Sequence, residues 1–397
     1  MTQALAGSRL AELAEERTRA NARFFEESAE SLARLCHRMA ERFARGGRLL
    51  ALGATPQARS DARHVAVEFV HPVIVGKRAL PAIALTAEGG ELGRQLDLAA
   101  EPGDMVIGFG SEAQALDALG QARERGCLTL AFEPGPAEWV FAPPSDDQFV
   151  RQELAETAYH LLWELAHVFF DHRGLLEGRD ARAVHDTGGS SFLYPFLGEQ
   201  ETDLEAVIAD VRASILLKAE EIGVLRAQTL TGNSAVIGGA AAALRAAFDS
   251  GGRLLLLGNG GSATDAMDAE ADSVNPPNGW PARPALDLTE DTGIITAVAN
   301  DIGTEAIFSR QLIAHARTGD VLLAFSTSGD SANVIAALAE ARRRGAVTIA
   351  MVGYDGGRIA GDALADHVVV TRSEHIPRIQ EAQAGAWHVL RELVELS

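Results

Sequence analysis

Hydroxyl side chains cluster at one point in the second half of the sequence. Ser326–Ser331 (STSGDS) holds four hydroxyl-bearing residues and a glycine, and it directly follows the apolar stretch 321–325. Hydroxyl and backbone N–H groups at the start of a helix can hold a phosphate group without any lysine. One hydroxyl would be enough to cap the helix predicted over 332–344, so four of them favour an anion site over a simple helix cap.

A glycine-rich loop precedes this hydroxyl loop in the chain. Gly258–Ser262 (GNGGS) follows the apolar stretch 254–257 and leads into a helix predicted from about Ala263. Glycines let the backbone approach an anion closely, and the helix start supplies N–H groups. The alternative is an ordinary glycine-rich turn between a strand and a helix. Since ligands bind at the carboxyl ends of parallel strands, the two loops together predict a phosphate pocket.

A histidine and a carboxylate with helical spacing occur in the first half. His64 and Glu68 are four residues apart, so on a helix they share one face and can address one ion or one substrate carbon. The alternative is that each is an ordinary solvated or capped side chain, which is the commoner fate of a single His or Glu on a helix.

Two further histidines each follow a glutamine at a distance of eight residues. His160 follows Gln152, and His388 follows Gln380. Eight residues are a little over two helical turns, so each pair shares a helix face. Both histidines come directly after an aromatic residue, and either could instead be a packed core histidine.

The elements that position these residues occur twice. Four segments of the first half recur in the same order in the second half, separated by small insertions, which predicts a tandem duplication. The matched segments are 47–53 with 252–258, 94–109 with 310–325, 122–126 with 341–345, and 152–166 with 380–394.

Each copy has the pattern of an α/β fold. A long amphipathic helix comes first, short apolar strands then alternate with helices, and a last helix closes the copy. This alternation predicts a parallel sheet covered by helices on both faces, as in flavodoxin-like and Rossmann-like folds. The strands predicted in the second copy are 254–257, 284–288, 321–325 and 347–352.

The first copy lacks both phosphate loops. Residues 53–60 (GATPQARS) replace the glycine loop, and Gly110–Ala113 replaces the hydroxyl loop, placing Glu112 where an anion would lie. The counterpart of Ile294–Ala306 is also missing. We therefore expect that the first copy does not bind phosphate in this way.

The predicted domains are 1–170 and 204–397, joined by the linker 171–203. The linker contains an apolar run, 192–197 (FLYPFL), which we expect to dock on a surface. The seam between the two copies is the preferred surface, with a partner protein as the alternative.

Composition restricts the class of protein. With 35 Lys and Arg against 55 Asp and Glu, the formal net charge of −20 argues against a general binder of nucleic acid or anionic membranes. A local pocket can still bind a small anion. Two cysteines, Cys36 and Cys127, and no signal peptide or membrane-length apolar stretch lead us to expect a cytoplasmic protein.

The second copy resembles the sugar isomerase (SIS) domain of the phosphoheptose isomerases over about residues 204–397. The residues that carry the resemblance are 258–266 (GNGGSATDA), 292–311 (TGIITAVANDIGTEAIFSRQ), 319–335 (GDVLLAFSTSGDSANVI) and 378–388 (RIQEAQAGAWH). The first copy resembles the same family more weakly, through 61–69 and 152–160. The resemblance implies two tandem SIS domains arranged as a pseudo-dimer, the first of them degenerate.

The resemblance also implies roles for individual residues. The substrate-binding positions are Asn259, Gly260, Ser262, Asp301, Ser326, Thr327, Ser328, Ser331 and Gln380. The implied zinc ligands are His64, Glu68, Gln380 and His388, and the implied catalytic residues are Glu68 as base with His388 and His160 as proton carriers. No nucleotide cofactor is expected. The second copy departs from the family pattern, because Asp268 and Asp272 stand where the family has a histidine and a glutamate.

The implied activity is aldose–ketose isomerisation of sedoheptulose 7-phosphate, or a similar sugar phosphate, through an enediol. We expect a composite site, with phosphate loops from the second copy and His64 and Glu68 from the first. Either Gln380 with His388 or Gln152 with His160 would complete it. We expect a homodimer with four SIS domains. The alternative function is a phosphosugar-binding regulator or accessory protein without catalysis.

Overall fold

The computed structural model describes residues 3–73, 77–171, 176, 203–277 and 279–396. Contacts divide the chain into two compact units. The first-half unit is Ala20–Glu220, and the second-half unit combines Met1–Arg19 with Glu221–Ser397. The predicted domain boundaries stay a prediction, and the apolar run 192–197 lies outside the described residues.

The first-half unit is built around a five-stranded parallel sheet with strand order β2-β1-β3-β4-β5. The first helix begins in residues of the second-half unit and continues into this one. In chain order the elements are α1 (Gln3–Ala44), β1 (Leu49–Gly53), α2 (Pro56–Val70), β2 (Ala82–Thr86), α3 (Leu92–Ala99), β3 (Met105–Phe109), α4 (Ala113–Glu124), β4 (Leu128–Ala131), β5 (Trp139–Val140) and α5 (Gln148–Asp171).

The second-half unit repeats this topology, with strand order β7-β6-β8-β9-β10 in a second parallel sheet. Its elements are α6 (Leu204–Gly232), α7 (Ser234–Asp249), β6 (Leu254–Leu257), α8 (Gly261–Val274), β7 (Ala285–Asp287), α9 (Thr292–Asp301), α10 (Ile307–His315), β8 (Val321–Ser326), α11 (Ala332–Arg343), β9 (Val347–Val352), α12 (Gly357–Gly361), β10 (His367–Val370) and α13 (Ile376–Glu395). The helix α6 begins in residues of the first-half unit. The shared strand order confirms the predicted α/β fold with a parallel sheet in each half.

The central strands are apolar along their whole length because both faces of each sheet are covered. In β6, Leu254 and Leu256 join a core cluster that includes Trp387 of α13. The alternate residues Leu255 and Leu257 join another cluster on the opposite face, with Leu338 of α11. Successive side chains of a strand point to opposite faces, so a strand between two helix layers must be apolar at every position.

The first strand of each sheet ends at a glycine or directly before one, and no larger residue can replace this glycine without a shift of the backbone. A Cβ atom on Gly258 would lie 2.0 Å from the carbonyl oxygen of Ser262, and one on Gly53 would lie 2.2 Å from that of Ala58. This steric requirement holds in both halves. Gly53 and Gly258 are therefore needed for the turn itself, whatever the loop binds.

Within the part of the chain that the structure describes, no helix is both long enough and apolar enough to cross a membrane.

We predict that Gly258→Ala destabilises the protein by about 2 kcal/mol or more, because the added methyl group collides with backbone rather than with a mobile side chain. The matched control is Gly238→Ala within α7, where an added Cβ meets nothing within 4 Å. Alanine there should be neutral or stabilising by up to about 1 kcal/mol, through its higher helix propensity. Chemical denaturation of both variants measures the difference, and equal stability of the two would contradict the steric argument.

Candidate functional site

The hydroxyl loop is held in shape by its own side chains. The Oγ of Ser326 accepts a hydrogen bond from the N–H of Gly329 at 3.1 Å, and the Oγ of Ser328 accepts one from the N–H of Asp330 at 3.2 Å. Ser331 is the N-cap residue of α11, yet among the described residues its side chain makes no capping hydrogen bond. Helix capping therefore does not account for the hydroxyls of this loop.

The loop also packs against the segment that follows β9. Gly329 has a φ of +69°, and a Cβ atom there would lie 2.3 Å from the carbonyl oxygen of Gly356. The Oδ1 of Asp330 accepts a hydrogen bond from the N–H of Arg358 at 2.9 Å. These contacts fix the hydroxyl loop from the side of β9 and make glycine the residue that fits at position 329.

The glycine loop lies beside the hydroxyl loop. Strands β6 and β8 are neighbours in parallel register, with Leu257 opposite Ala324, so both loops leave the sheet at the same edge. The side-chain amides of Asn259 and Asn333 exchange two hydrogen bonds of 3.0 and 2.8 Å across the gap between the loops. Ser262 is buried in the first turn of α8. The amide exchange thus ties Asn259 to the start of α11, just after the hydroxyl loop, and Gly260 and Ser262 follow Asn259 in the chain.

Two other predicted binding residues lie on different elements. Asp301 is the last residue of α9, and its Oδ1 accepts a hydrogen bond of 2.7 Å from the side chain of Asn300. Gln380 is buried on α13. Their part in substrate binding stays a prediction.

In the first-half unit, α2 and α5 bring two histidines into contact. The Nε2 atoms of His64 and His160 are 3.2 Å apart, and both side chains are buried. The Oε1 of Glu68 lies 3.9 Å from the Nε2 of His64. The carboxylate of Glu156 completes a group whose ligand atoms, with those of His64 and His160, lie within 4.8 Å of one another.

Sequence reasoning missed Glu156. Its position holds the signal that could have found it, because it is four residues after Gln152 and four before His160, on the same face of α5.

The electrostatics of this first-half cluster suit a metal ion. Burial, and then the neighbouring His160, hold the pKa of His64 well below its usual value, so its imidazole is neutral at physiological pH. A neutral imidazole offers a nitrogen lone pair. The ring nitrogens of His64 and His160, with one or two carboxylate oxygens, make a donor set that fits zinc.

The second-half unit has an equivalent cluster with other side chains. The Nε2 of His388 lies 3.8 Å from the Oδ2 of Asp268 and 3.6 Å from that of Asp272. The Nε1 of Trp387 donates a hydrogen bond of 3.0 Å to the Oδ2 of Asp272. Burial and the charge of Asp268 raise the pKa of Asp272 to about 7. This donor set has one nitrogen and two carboxylates, so it is harder than the first-half set.

These contacts place His64 beside His160, and His388 beside the two aspartates. The predicted metal set of His64, Glu68, Gln380 and His388 draws on both units, and it stays a prediction.

A half-buried carboxylate that sequence reasoning did not identify lies at the carboxyl end of β7. Asp287 accepts hydrogen bonds of 2.8 Å from both the N–H and the hydroxyl of Thr289. Burial nevertheless raises the pKa of Asp287 to about 7. The Oγ1 of Thr289 also lies 3.4 Å from the carbonyl oxygen of Ala263, so the end of β7 is close to the start of α8.

In the first-half unit, the counterpart of the glycine loop and the helix that follows it make local side-chain contacts of their own. Thr55 caps α2 by accepting a hydrogen bond of 3.2 Å from the N–H of Ala58. Arg59 and Arg63 in α2 both pair with the carboxylate of Glu88. The first two turns of α2 are thus engaged in a local cap and ion pairs.

The fold and the paired loops define the class of protein. Residues 219–353 match the family model described as the SIS domain. A phosphoheptose isomerase from Chlorobium phaeobacteroides is 42% identical over 179 residues, which cover 43% of this chain and 76% of that relative. The chain belongs to the phosphoheptose isomerase family.

Two solved structures resemble the whole chain. One is the C-terminal domain of glucosamine-fructose-6-phosphate aminotransferase from Francisella tularensis, with a TM-score of 0.59, 10% identity, and coverage of 98% of this chain and 95% of that chain. The other is tagatose-6-phosphate ketose/aldose isomerase from Escherichia coli, with a TM-score of 0.58, 14% identity, and coverage of 100% and 94%. At these identities the likeness shows the fold alone, and it confirms the predicted fold of two tandem α/β domains.

We predict that Asp287 makes stability fall as the pH rises from about 4 to about 7. The folded carboxyl group keeps its proton in this window, while the unfolded one, with a pKa of 3.8, has lost it. The unfolded state therefore binds fewer protons, and the free energy of unfolding decreases with pH, by about 4 kcal/mol at most.

Comparison with Asp287→Asn isolates this effect, since asparagine does not titrate. Urea unfolding at several pH values should show a shallower pH dependence for this variant than for the wild type. The exposed Asp249→Asn is the control and should keep the wild-type slope. Parallel curves for wild type and Asp287→Asn would show that the carboxyl group is not protonated in the folded protein.

Proposed function

We propose that this protein is a phosphosugar aldose–ketose isomerase that acts on sedoheptulose 7-phosphate or a similar sugar phosphate. The observation that carries the proposal is the meeting of the glycine loop and the hydroxyl loop at one edge of the second sheet. The family relationship supports it, since the relative from Chlorobium phaeobacteroides is named phosphoheptose isomerase.

The phosphate would be held by hydroxyl and N–H groups rather than by lysine. The proposed hydroxyl ligands are Ser262 in α8 and the hydroxyl loop Ser326–Ser331. The first N–H groups of α11 have no carbonyl acceptor within their own helix and lie at the positive end of its dipole. A dianionic phosphate is therefore attracted locally even though the chain carries a net charge of −20.

The proposed chemistry is proton transfer through an enediol. Glu68 removes the proton from the carbon next to the carbonyl group, while a histidine delivers a proton to the carbonyl oxygen. That histidine is His388, or His160 if His160 does not ligate zinc. Returning one proton to the former carbonyl carbon, and removing one from the neighbouring hydroxyl, gives the isomeric sugar. The sugar thus gains and loses the same number of protons.

Zinc is the proposed metal. The first-half cluster of His64, Glu156 and His160, with Glu68 beside it, would hold the ion. A bound divalent cation would stabilise the negative charge that develops on the enediolate oxygen. The buried imidazole of His64 is neutral at physiological pH, so it can offer a nitrogen ligand without first losing a proton, which supports this set.

We further propose that the two halves contribute different groups to one composite site. The second half carries the phosphate loops, whereas the first half carries the His64–Glu68 pair, and neither half carries both. Together the two incomplete copies would supply one full set of phosphate-binding and catalytic groups. Two chains would associate into a four-domain assembly.

One observation favours a second function, a phosphosugar-binding regulator without catalysis. Asp268 and Asp272 stand where the resemblance implies a histidine and a glutamate, so the half that carries the phosphate loops has lost the expected catalytic pair. A regulator would bind the sugar phosphate and leave it unchanged.

We predict that Glu68→Gln lowers turnover of sedoheptulose 7-phosphate by at least about 100-fold, because the amide cannot accept the proton. Binding of the same ligand, measured by calorimetry, should change by less than about twofold. Glu101→Gln, at an exposed carboxylate, serves as the control and should leave both quantities unchanged.

Retention of wild-type turnover in Glu68→Gln would refute the catalytic role. Binding without turnover in the wild-type protein would support the regulator.

We also predict that the first-half cluster binds zinc. Purified wild-type protein should contain zinc by emission spectrometry, and His160→Ala should lose it, whereas His388→Ala should retain it. Chelation of the wild type should lower turnover, and added zinc should restore it. Loss of zinc in His388→Ala, with retention in His160→Ala, would instead favour the ligand set that includes Gln380 and His388.

A further inference from the structure

Two asparagine side chains connect the loops of the proposed phosphate pocket. The Nδ2 of Asn259 donates to the Oδ1 of Asn333 at 3.0 Å, and the Nδ2 of Asn333 donates to the Oδ1 of Asn259 at 2.8 Å. Asn259 lies in the glycine loop after β6, and Asn333 lies in the first turn of α11, directly after the hydroxyl loop. This amide pair is thus a direct link between the two loops.

The orientation of both amides is determined by the backbone. The N–H of Val334 donates a hydrogen bond of 2.9 Å to the side chain of Asn333. A backbone N–H can only donate, so the atom that receives it must be the oxygen Oδ1. That oxygen can in turn pair only with the amide nitrogen of Asn259. The helix start therefore sets which edge of Asn259 faces outward.

The pair leaves groups of Asn259 available for a ligand. A side-chain amide has two N–H donors and two acceptor lone pairs, and the exchange with Asn333 uses one of each. One N–H and one lone pair of Asn259 remain, held in a defined direction. A sugar hydroxyl is both a donor and an acceptor, so it matches this remaining edge.

The glycine loop needs a link of this kind. Asn259 is flanked by Gly258 and Gly260, and Gly260 has a φ of +59°. Glycines leave the unbound backbone many conformations, and ordering them on binding would cost free energy. A contact that orders Asn259 beforehand reduces this cost.

The first half lacks the pair. By the match of β1 with β6 and of α4 with α11, Ala54 and Gln114 stand at the positions of Asn259 and Asn333. Alanine cannot exchange hydrogen bonds. The amide pair thus occurs in the half that carries the phosphate loops. This is the half in which we expect the pair if it serves ligand binding.

We propose that Asn333 is a positioning residue that orients Asn259 toward the sugar part of the bound sugar phosphate. This inference rests on the proposed function, since it requires a sugar phosphate in the pocket. Asn333 itself acts through Asn259. In the proposed pocket the hydroxyl loop binds the phosphate group. The affinity for inorganic phosphate should therefore depend little on the amide pair of Asn259 and Asn333.

Calorimetric titration of two ligands tests this proposal. Asn333→Ala should weaken the binding of sedoheptulose 7-phosphate about three- to tenfold, the amount expected for one oriented hydrogen bond. Binding of inorganic phosphate should change by less than about twofold. In an Asn259→Ala background, Asn333→Ala should have no further effect, because the residue it positions is absent.

Asn233→Ala is the matched control. This asparagine links α7 to β10 in the same unit through hydrogen bonds with the backbone of Val370. Its loss should lower thermal stability and leave the ratio of the two affinities unchanged. Asn333→Ala should change that ratio, which a general loss of stability would not do.

If Asn333→Ala weakened the binding of both ligands equally, the positioning role would be overturned. An effect of Asn333→Ala on binding that persists in the Asn259→Ala background would overturn it too. Unchanged binding of both ligands would overturn it as well. These readouts need no turnover, so they remain valid if the wild-type protein binds the sugar phosphate without isomerising it. In that case the proposed activity fails and the positioning role is judged on binding alone.

Discussion

Neighbouring parallel strands end at the same edge of their sheet, and this constraint places the candidate phosphate pocket. Because β6 and β8 pair in parallel, the loops that follow them must lie side by side. The glycine loop can turn back only with glycine at position 258, since a Cβ atom there would meet the carbonyl oxygen of Ser262. The amide pair of Asn259 and Asn333 then links the two loops.

Duplication supplies the same fold twice and lets the copies diverge. Both units keep the strand order and a cluster of ionisable side chains between the helix after the first strand and the last helix. The first-half cluster is rich in nitrogen ligands, through His64 and His160. The second-half cluster is rich in carboxylates, through Asp268 and Asp272. The first copy lacks the phosphate loops, yet it keeps the glycine that the turn requires, Gly53. This glycine is therefore needed for folding rather than for phosphate binding.

The sequence predicted the strands and the loops well because their signals are local. The apolar run 347–352 coincides with β9, and the helix predicted over 332–344 is α11 to within one residue. Glu156, Asp287 and Asn333 were missed because their significance lies in tertiary neighbours. An amphipathic pattern likewise shows that a helix has an apolar face without showing what covers it, so the grouping of Met1–Arg19 with Glu221–Ser397 needed the structure.

The central claim is that the second half binds the phosphate group while the first half supplies the catalytic carboxylate. A crystal structure of the protein with sedoheptulose 7-phosphate tests this claim most directly. The account predicts that the phosphate group lies on Ser326–Ser331 and that the first two carbons of the sugar lie within hydrogen-bonding reach of Glu68. A sugar whose first two carbons lie instead against Asp268, Asp272 and His388 would contradict it.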